Sequence, residues 1–219
     1  MKKVALIVAG GQGERMESKI PKQFLLLNNT PVLIHTLKKF SDFNKIFLAL
    51  PYSQFDYWKS LCKKHNFTDK HILIKGGKTR FESVKNGLKE IHEEAIIAIH
   101  DGVRPIISKN LIAQLIAKTK HGVGIIPGIP LKDSIRESNG VKSKHINRDG
   151  LYSVQTPQCF ISCDIKNAYK QNYSDFFTDD ASVFENNSGK IVLISGEEKN
   201  IKITTQEDLK IAESFMQQL

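Results

Sequence analysis

Cysteine is scarce in this chain: Cys62, Cys159 and Cys163 are the only three in 219 residues. A set that small and odd cannot build a disulfide framework. Cys159 and Cys163 stand four apart, but no second Cys/His pair completes a zinc set. All three are expected to be reduced thiols in packing roles. Long apolar runs are missing as well. Met1-Lys2-Lys3 leads into only six apolar residues, Val4 to Ala9, before Gly10. That is too short for a signal peptide, and no stretch approaches the ~18 apolar residues of a membrane span. A cytoplasmic location and no membrane partner are the expectation. Internal repeats, low-complexity tracts and runs of five or six like charges are absent too.

What is present is ordinary globular composition, with 40% apolar and 25% charged residues. The length suits one generous domain, or one domain with an insertion, and can bury a core without disulfides or a structural metal. The net charge of +9 comes from lysines scattered along the whole chain, the pattern of a solvated surface. No basic stripe interleaved with aromatics occurs, so no nucleic-acid partner is expected.

The apolar pattern alternates between strand-like and helical segments. Val4 to Val8 is a continuous apolar run, as in a strand buried on both faces; Ile46 to Leu50 and the short Ile72 to Ile74 read as further strands, and Ala95 to Ile99 as another buried one. Helices are expected between them: one capped by Thr30 with Pro31 at its first position, then Gln54 to Lys64, Arg80 to Ile91 and Leu111 to Thr119. The alternation predicts an α/β fold with a mostly parallel sheet and helices on both faces. After Ile125 the rhythm breaks. Residues 130–153 carry turn-rich sequence with short β-like pieces at Ser134 to Arg136 and Val141 to His145, which suggests a β-arm excursion from a single domain spanning 1–219. A loop with Pro157, a helix from about Asp164 to Tyr169, a strand at Ile191 to Ile194 and a helix from Thr205 to Met216 follow. Thr205 and Asp208 resemble a capping box.

In such sheets ligands bind beyond the carboxyl ends of the strands. The first strand runs into Ala9-Gly10-Gly11-Gln12-Gly13-Glu14-Arg15-Met16, then Pro21-Lys22-Gln23. Closely spaced glycines let a polyphosphate approach the backbone and its N–H groups, and Arg15 and Lys22 add positive charge. A dinucleotide fingerprint would need glycine where Met16 stands. A P-loop ending at Gly77-Lys78-Thr79 would need glycine in place of Ile72.

The run G-G-x-G-x-R-M followed by P-K-Q resembles the nucleotidyltransferases that activate sugars and sugar alcohols. Gly76 to Val84, His100 to Pro105, Thr156-Pro157-Gln158, Thr178 to Ser182 and Asn200 to Thr204 narrow the resemblance. Together they are similar to the 2-C-methyl-D-erythritol 4-phosphate cytidylyltransferase family over essentially the whole chain. The resemblance implies a Rossmann-like nucleotidyltransferase sheet and transfer of CMP from CTP to the acceptor phosphate, with release of pyrophosphate. It assigns Arg15, Lys22 and Lys202 to catalysis as cations around the reacting phosphates. Ala9, Gly10, Gly11, Gly13, Gly77, Ser83, Asp101 and Gly102 would bind CTP, and Asp101 would also help hold Mg²⁺. Lys78 stands where some relatives carry an acidic residue, which leaves backbone recognition by Gly77 but not that side-chain contact with the base. His100 reads as a packed histidine at a strand end, since this mechanism needs no general base. Arg104 either orders the loop or meets phosphate.

On the acceptor side the resemblance points to Ser134, Arg148, Thr156 and Asp179, with Lys132 and Asp133 beside them. In relatives the arm crosses to a second subunit, so a homodimer is implied. Three other readings remain in view. A ribitol-5-phosphate cytidylyltransferase shares fold and chemistry, but Ala181-Ser182 after two aspartates favours the erythritol acceptor over the Ala-Cys-Lys expected there. A nucleic-acid-binding module would use the +9 charge. A non-catalytic nucleotide sensor would have no reason to keep Arg15, Lys22, Asp101 and Lys202 together.

Overall fold

Strand β1 (Lys2–Val8) lies at the centre of the molecule because Val4 to Ile7 are apolar on both faces and wholly buried. In the computed structural model, which describes residues 1–10 and 20–217, β1 pairs in parallel with β4 (Lys45–Leu50) and β6 (Ala95–Asp101). Strand β5 (Ile72–Lys75) extends the sheet beyond β4. On the other side β7 (Val123–Pro130) runs parallel to β12 (Lys190–Ser195). Strands β10 (Tyr152–Val154) and β11 (Gln158–Ile161) run antiparallel to β7, and β11 also pairs antiparallel with β6. The result is an eight-stranded, mostly parallel sheet with one reversed, interrupted line of chain inside it.

Helices cover both faces, as the alternating sequence predicts. On one face α1 (Val32–Lys38), α2 (Phe55–Lys64) and α4 (Lys109–Lys118) pack Leu33, Trp58 and Leu115 against Ile7, Leu48 and Ala98. On the other, α3 (Arg80–Glu90), α5 (Ser162–Ala168) and α6 (Asp180–Asn186) pack Val84, Ile165 and Phe184 against Leu6, Phe47 and Ile97. Burying each such side chain contributes roughly 1.5–3 kcal/mol. The last helix, α7 (Gln206–Met216), has the Thr205–Asp208 capping box and closes a smaller cluster of Leu27, Val32, Val103, Ile203 and Ala212.

Four details differ from the sequence reading. Thr30 and Pro31 do not open a helix. They form β3 (Thr30–Pro31), paired with β2 (Leu26–Leu27) through Asn28 and Asn29, both at positive φ, and α1 begins only at Val32. Asparagine tolerates that conformation, so Asn-Asn was a hairpin signal. Strand character continues past Ile125, because β7 accommodates Pro127. The Pro127 carbonyl accepts the Gln155 N–H at 2.8 Å, and the ladder donor that proline lacks faces the same place, where β10 gives way to β11. The segment after Pro157 is a buried strand, not a loop. Helix α6, unanticipated, starts from a capping box made by Asp179 and Ser182.

The arm is real hairpin structure. Strands β8 (Ile135–Ser138) and β9 (Ser143–Ile146) pair only with each other, one or two residues later than the expected pieces, and project from the sheet with exposed side chains.

Candidate active site

Asp101 ends β6 and lies beside Val8, the last residue of β1. The two parallel strands therefore deliver Asp101 and the Ala9-Gly10 pair that follows Val8 to the same carboxyl edge. Gly102 follows, its N–H donating to the Val8 carbonyl at 2.8 Å; a Cβ there would fall 2.8 Å from that of Ala9. Only glycine lets the chain leaving β6 approach Ala9 so closely. Gln23, almost fully buried, donates from Nε2 to the Ala9 carbonyl at 3.0 Å and to Gln54 at 2.9 Å. That anchor holds the short turn Lys22–Phe24 against the end of β1 and brings Lys22 to this edge.

The second glycine turn comes from β5. The Gly76 N–H donates to the Leu50 carbonyl at 2.7 Å, and the Gly77 N–H to Ser83 Oγ at 3.0 Å. Ser83 in turn donates to the Thr79 carbonyl at 2.9 Å, while Thr79 caps α3 through the Glu82 N–H. Glu82 closes the turn by accepting the Lys78 N–H at 2.7 Å. A Cβ on Gly77 would lie 2.1 Å from that of Glu82, so this turn also requires glycine. A Cβ on Gly10 would touch Ser83 Oγ at 3.4 Å, which puts Gly10 beside the Gly76–Gly77 turn.

Cations then gather around one carboxylate. Lys202 Nζ lies 3.0 Å from Asp101 Oδ2, Arg104 Nε 3.3 Å from the same oxygen, and Arg80 Nε 3.4 Å from Oδ1. Burial alone would raise the Asp101 carboxyl, but the charges of Arg80, Lys202 and Arg104 outweigh it and hold it well below the usual carboxylate range. Lys202 arrives from a distant part of the chain, in a segment whose side chains alternate between two sides. Ile201 and Ile203 go to the apolar cluster under α7. Asn200 turns inward, donating to the Thr156 carbonyl at 2.9 Å and accepting from Arg104 at 2.8 Å through its own carbonyl. Lys202 follows Asn200 on that side. With 42% of its side chain exposed, it can turn from Asp101 to an incoming anion.

Beneath these groups runs a buried hydrogen-bonded chain. The Asp101 N–H donates to Thr156 Oγ1 at 3.0 Å, the Thr156 hydroxyl faces His100 Nδ1 at 2.9 Å, and His100 Nε2 faces the Arg104 carbonyl at 3.1 Å. Burial pushes the His100 imidazole down to about 4, so it is neutral near pH 7. The carbonyl can only accept, which places the ring proton on Nε2 and makes Nδ1 the acceptor for Thr156. His100 thus packs and orients, as its strand-end position suggested. Arg104 orders the loop through Asp101 and Asn200.

The structure brings Ala9, Gly10, Lys22, Gly77, Ser83, Asp101, Gly102, Thr156 and Lys202 to one edge. Gly11, Gly13 and Arg15 lie outside the described residues. Asp179 is linked to the same edge: its Oδ2 accepts from Gln158 at 2.7 Å while Oδ1 caps α6. Ser134 and Arg148 stand apart at the base of the arm. Arg148 is exposed and donates to the Lys132 carbonyl. Sequence reasoning gave no role to Arg80, Asp180 or Tyr169. Arg80 forks onto the fully buried Asp180, which also accepts the Tyr169 hydroxyl at 2.6 Å. The position of Asp180 beside Asp179 was visible, but not its partner one hundred residues away.

A divalent cation fits the donor set. Among the described residues Asp101, ionised at the carboxyl edge, meets no second carboxylate there; its oxygens face Arg80, Arg104 and Lys202, so it would hold the ion once the half-exposed Lys202 turns to a substrate phosphate, and magnesium is commonly held by one or two carboxylates plus substrate phosphates. Asp180 is already occupied by Arg80 and Tyr169.

The sequence pattern of the 2-C-methyl-D-erythritol 4-phosphate cytidylyltransferase family matches residues 3–218. The protein of that name from Azobacteroides pseudotrichonymphae is 46% identical over 220 residues, covering 98% of both chains. Its counterpart from Bacteroides fragilis is 43% identical over 219 residues, covering 99% of this chain and 100% of that one. Among solved structures, the Francisella tularensis enzyme titled 2-C-methyl-D-erythritol 4-phosphate cytidylyltransferase superposes with a TM-score of 0.83 at 32% identity, covering 98% of this chain and 99% of the other.

Proposed function

The chain belongs to the 2-C-methyl-D-erythritol 4-phosphate cytidylyltransferase family, and we propose that it transfers CMP from CTP to 2-C-methyl-D-erythritol 4-phosphate in the non-mevalonate route to isoprenoid precursors. An acceptor phosphate oxygen forms a bond to the α-phosphorus of CTP, the bond from that phosphorus to the bridging oxygen breaks, and pyrophosphate leaves with the electron pair. No side chain needs to become covalent. The barrier falls because donors and cations are in place before charge develops.

The observation that carries this reading is the placement of Lys202 against Asp101 at the same strand edge as Gly10 and Gly77. In our reading Gly77 and Ser83 face the base, Ala9 and Gly10 the phosphates, and Gly102 the ribose side. Lys22 and Lys202, with Arg15, neutralise the α-phosphoryl oxygens and the leaving group. Thr156 acts through Asp101, since its hydroxyl is engaged by the Asp101 amide and His100. Asp101 and the triphosphate oxygens would hold a divalent cation of the magnesium class, which when bound offsets charge between neighbouring phosphates.

We read Ser134, Arg148 and Asp179 as acceptor contacts, with the arm reaching a second copy of the chain. Support comes from the self-paired β8–β9 hairpin and from Leu151, Tyr152, Val154, Val192 and Leu193, which stay exposed on adjoining strands. Among the described residues no helix is long and apolar enough to cross a membrane.

Pyrophosphate release with CTP and Mg²⁺, run separately with methylerythritol phosphate and ribitol 5-phosphate, tests the assignment. Turnover only with the former is expected. Preference for ribitol phosphate would overturn the acceptor, and release with neither would overturn the activity.

A further inference from the structure

At the opposite end of the sheet, a group of side chains takes no part in this chemistry. Among the described residues, His121, Cys163 and Asp164 are the one set of three metal-ligating types whose donor atoms all lie within 4.8 Å of one another. Cys163, expected as a reduced thiol in a packing role, is a free thiol but exposed. Its Sγ lies 3.8 Å from His121 Nδ1 and 3.3 Å from Asp164 Oδ1, and His121 Nδ1 lies 3.6 Å from Asp164 Oδ2. From these distances we propose that His121, Cys163 and Asp164 form a binding site for a thiophilic divalent ion of the zinc class.

Geometry favours this assignment. A tetrahedral ion with metal–sulfur bonds of ~2.3 Å and metal–nitrogen or –oxygen bonds of ~2.0–2.1 Å sets its ligand atoms roughly 3.3–3.6 Å apart. The Sγ–Nδ1 and Sγ–Oδ1 separations fall close to that range, and the imidazole faces the other carboxylate oxygen, Oδ2, so a rotation of the Asp164 carboxylate and side-chain shifts of a few tenths of an ångström to about 1 Å bring three donors around one ion. The ligands are also held from both sides. Cys163 and Asp164 sit in the first turn of α5, directly after the fully buried β11. The His121 turn is tied to them by the Gly122 N–H, which donates to Asp164 Oδ2 at 2.8 Å, and to β12 by the Gly122 carbonyl, which accepts from Lys190 at 3.0 Å. Gly122 adopts φ +71°, which bends the chain so that its amide and the preceding imidazole face one carboxylate.

Donor chemistry narrows the ion. A thiolate with an imidazole selects zinc or cobalt over magnesium or calcium, and a carboxylate completes three protein ligands. The side chain of His121 is 63% exposed, which leaves a fourth position open to water. On binding, the Cys163 S–H proton goes to solvent and the sulfur lone pair forms the metal bond. The site is separate from the nucleotide edge. Ile161 pairs with Ile96 at the start of β6, whereas Asp101 ends that strand, roughly 17 Å away along it.

Cobalt titration of the chelator-treated full-length protein tests the proposal. A thiolate-to-cobalt charge-transfer band is expected, saturating at one ion per chain and bleached by zinc. Cys163→Ser abolishes the band and His121→Ala weakens binding at least ~10–100-fold, while Cys62→Ser leaves it unchanged. In the unmodified chain, zinc protects Cys163 from alkylation, a readout that needs no variant. A band that survives Cys163→Ser, no band at millimolar cobalt, or equal alkylation with and without zinc overturns the site.

Discussion

Arg80 holds the buried carboxylate of Asp180 by two parallel hydrogen bonds, 2.9 Å to Oδ1 and 2.6 Å to Oδ2, while its Nε faces Asp101 at 3.4 Å. One guanidinium therefore ties α6 to the strand end that carries the candidate site. Planar fork geometry makes such a pair specific as well as strong.

Removing Asp180 strips Arg80 of its bidentate partner, leaving the longer contact to Asp101, and leaves the buried Tyr169 hydroxyl without this acceptor. Asp180→Ala should cost about 3 kcal/mol, the low end for a broken buried pair, because Arg80 keeps 27% of its side chain in solvent. Denaturant unfolding measures this. A loss below ~1 kcal/mol would make the pair no more important than an exposed one.

Lys22→Ala and Lys202→Ala should each lower kcat by on the order of 10–100-fold, with a smaller change in CTP KM. Cations that act as charge develops affect turnover more than ground-state binding. Steady-state kinetics with a raised KM and an unchanged kcat would contradict that role.

Gly77→Ala introduces a Cβ 2.1 Å from that of Glu82. The turn must shift, and the Gly77 and Lys78 amides with it. CTP affinity should fall at least ~10-fold while the fold survives, since the turn lies at the sheet edge. Calorimetric titration with CTP checks this, and unchanged affinity would remove Gly77 from base recognition.

His100 gives a pH prediction. Its folded value of about 4 lies below its ordinary 6.5, so between those values the unfolded chain binds the extra proton. The stability of the neutral, buried ring is complete above pH 6.5 and is lost as pH falls toward 4, by about 3 kcal/mol in all. His100→Asn should flatten the stability–pH slope in that window. An equally steep slope in the variant would assign the effect elsewhere.

Arg148→Ala should raise the acceptor KM by about 10-fold or more and leave CTP affinity unaltered. If the acceptor KM does not move, Arg148 lies outside the site.

The parallel sheet was legible because fully apolar runs such as Val4 to Val8 and Ala95 to Ile99 have few alternatives to a strand covered on both faces. The glycine turns were legible because close backbone approach permits no side chain. Local capping at Thr205 was equally readable. What escaped was non-local. β11 reads as loop beside Pro157, yet β6 and β7 bury it. Pro127 argues against a strand until it is seen to lie opposite Gln155, between the end of β10 and the start of β11. Arg80 and Asp180 are both visible as charges, but their pairing across the fold leaves no mark on either segment. Cys163, next to an obvious acidic residue, gave no sign of His121 coming from another turn.

The reversed line of chain formed by β10 and β11 has a consequence for assembly. Strands β1, β4, β5 and β6 can join as soon as they exist, but β7 pairs only with β10, β11 and β12. Among the described residues the sheet's two halves are joined through β11, a segment that returns from the arm and lies between β6 and β7. Lys202 follows β12 in the chain and meets Asp101 at the end of β6, so this carboxylate and its counter-charge come together only where the two halves of the sheet are joined.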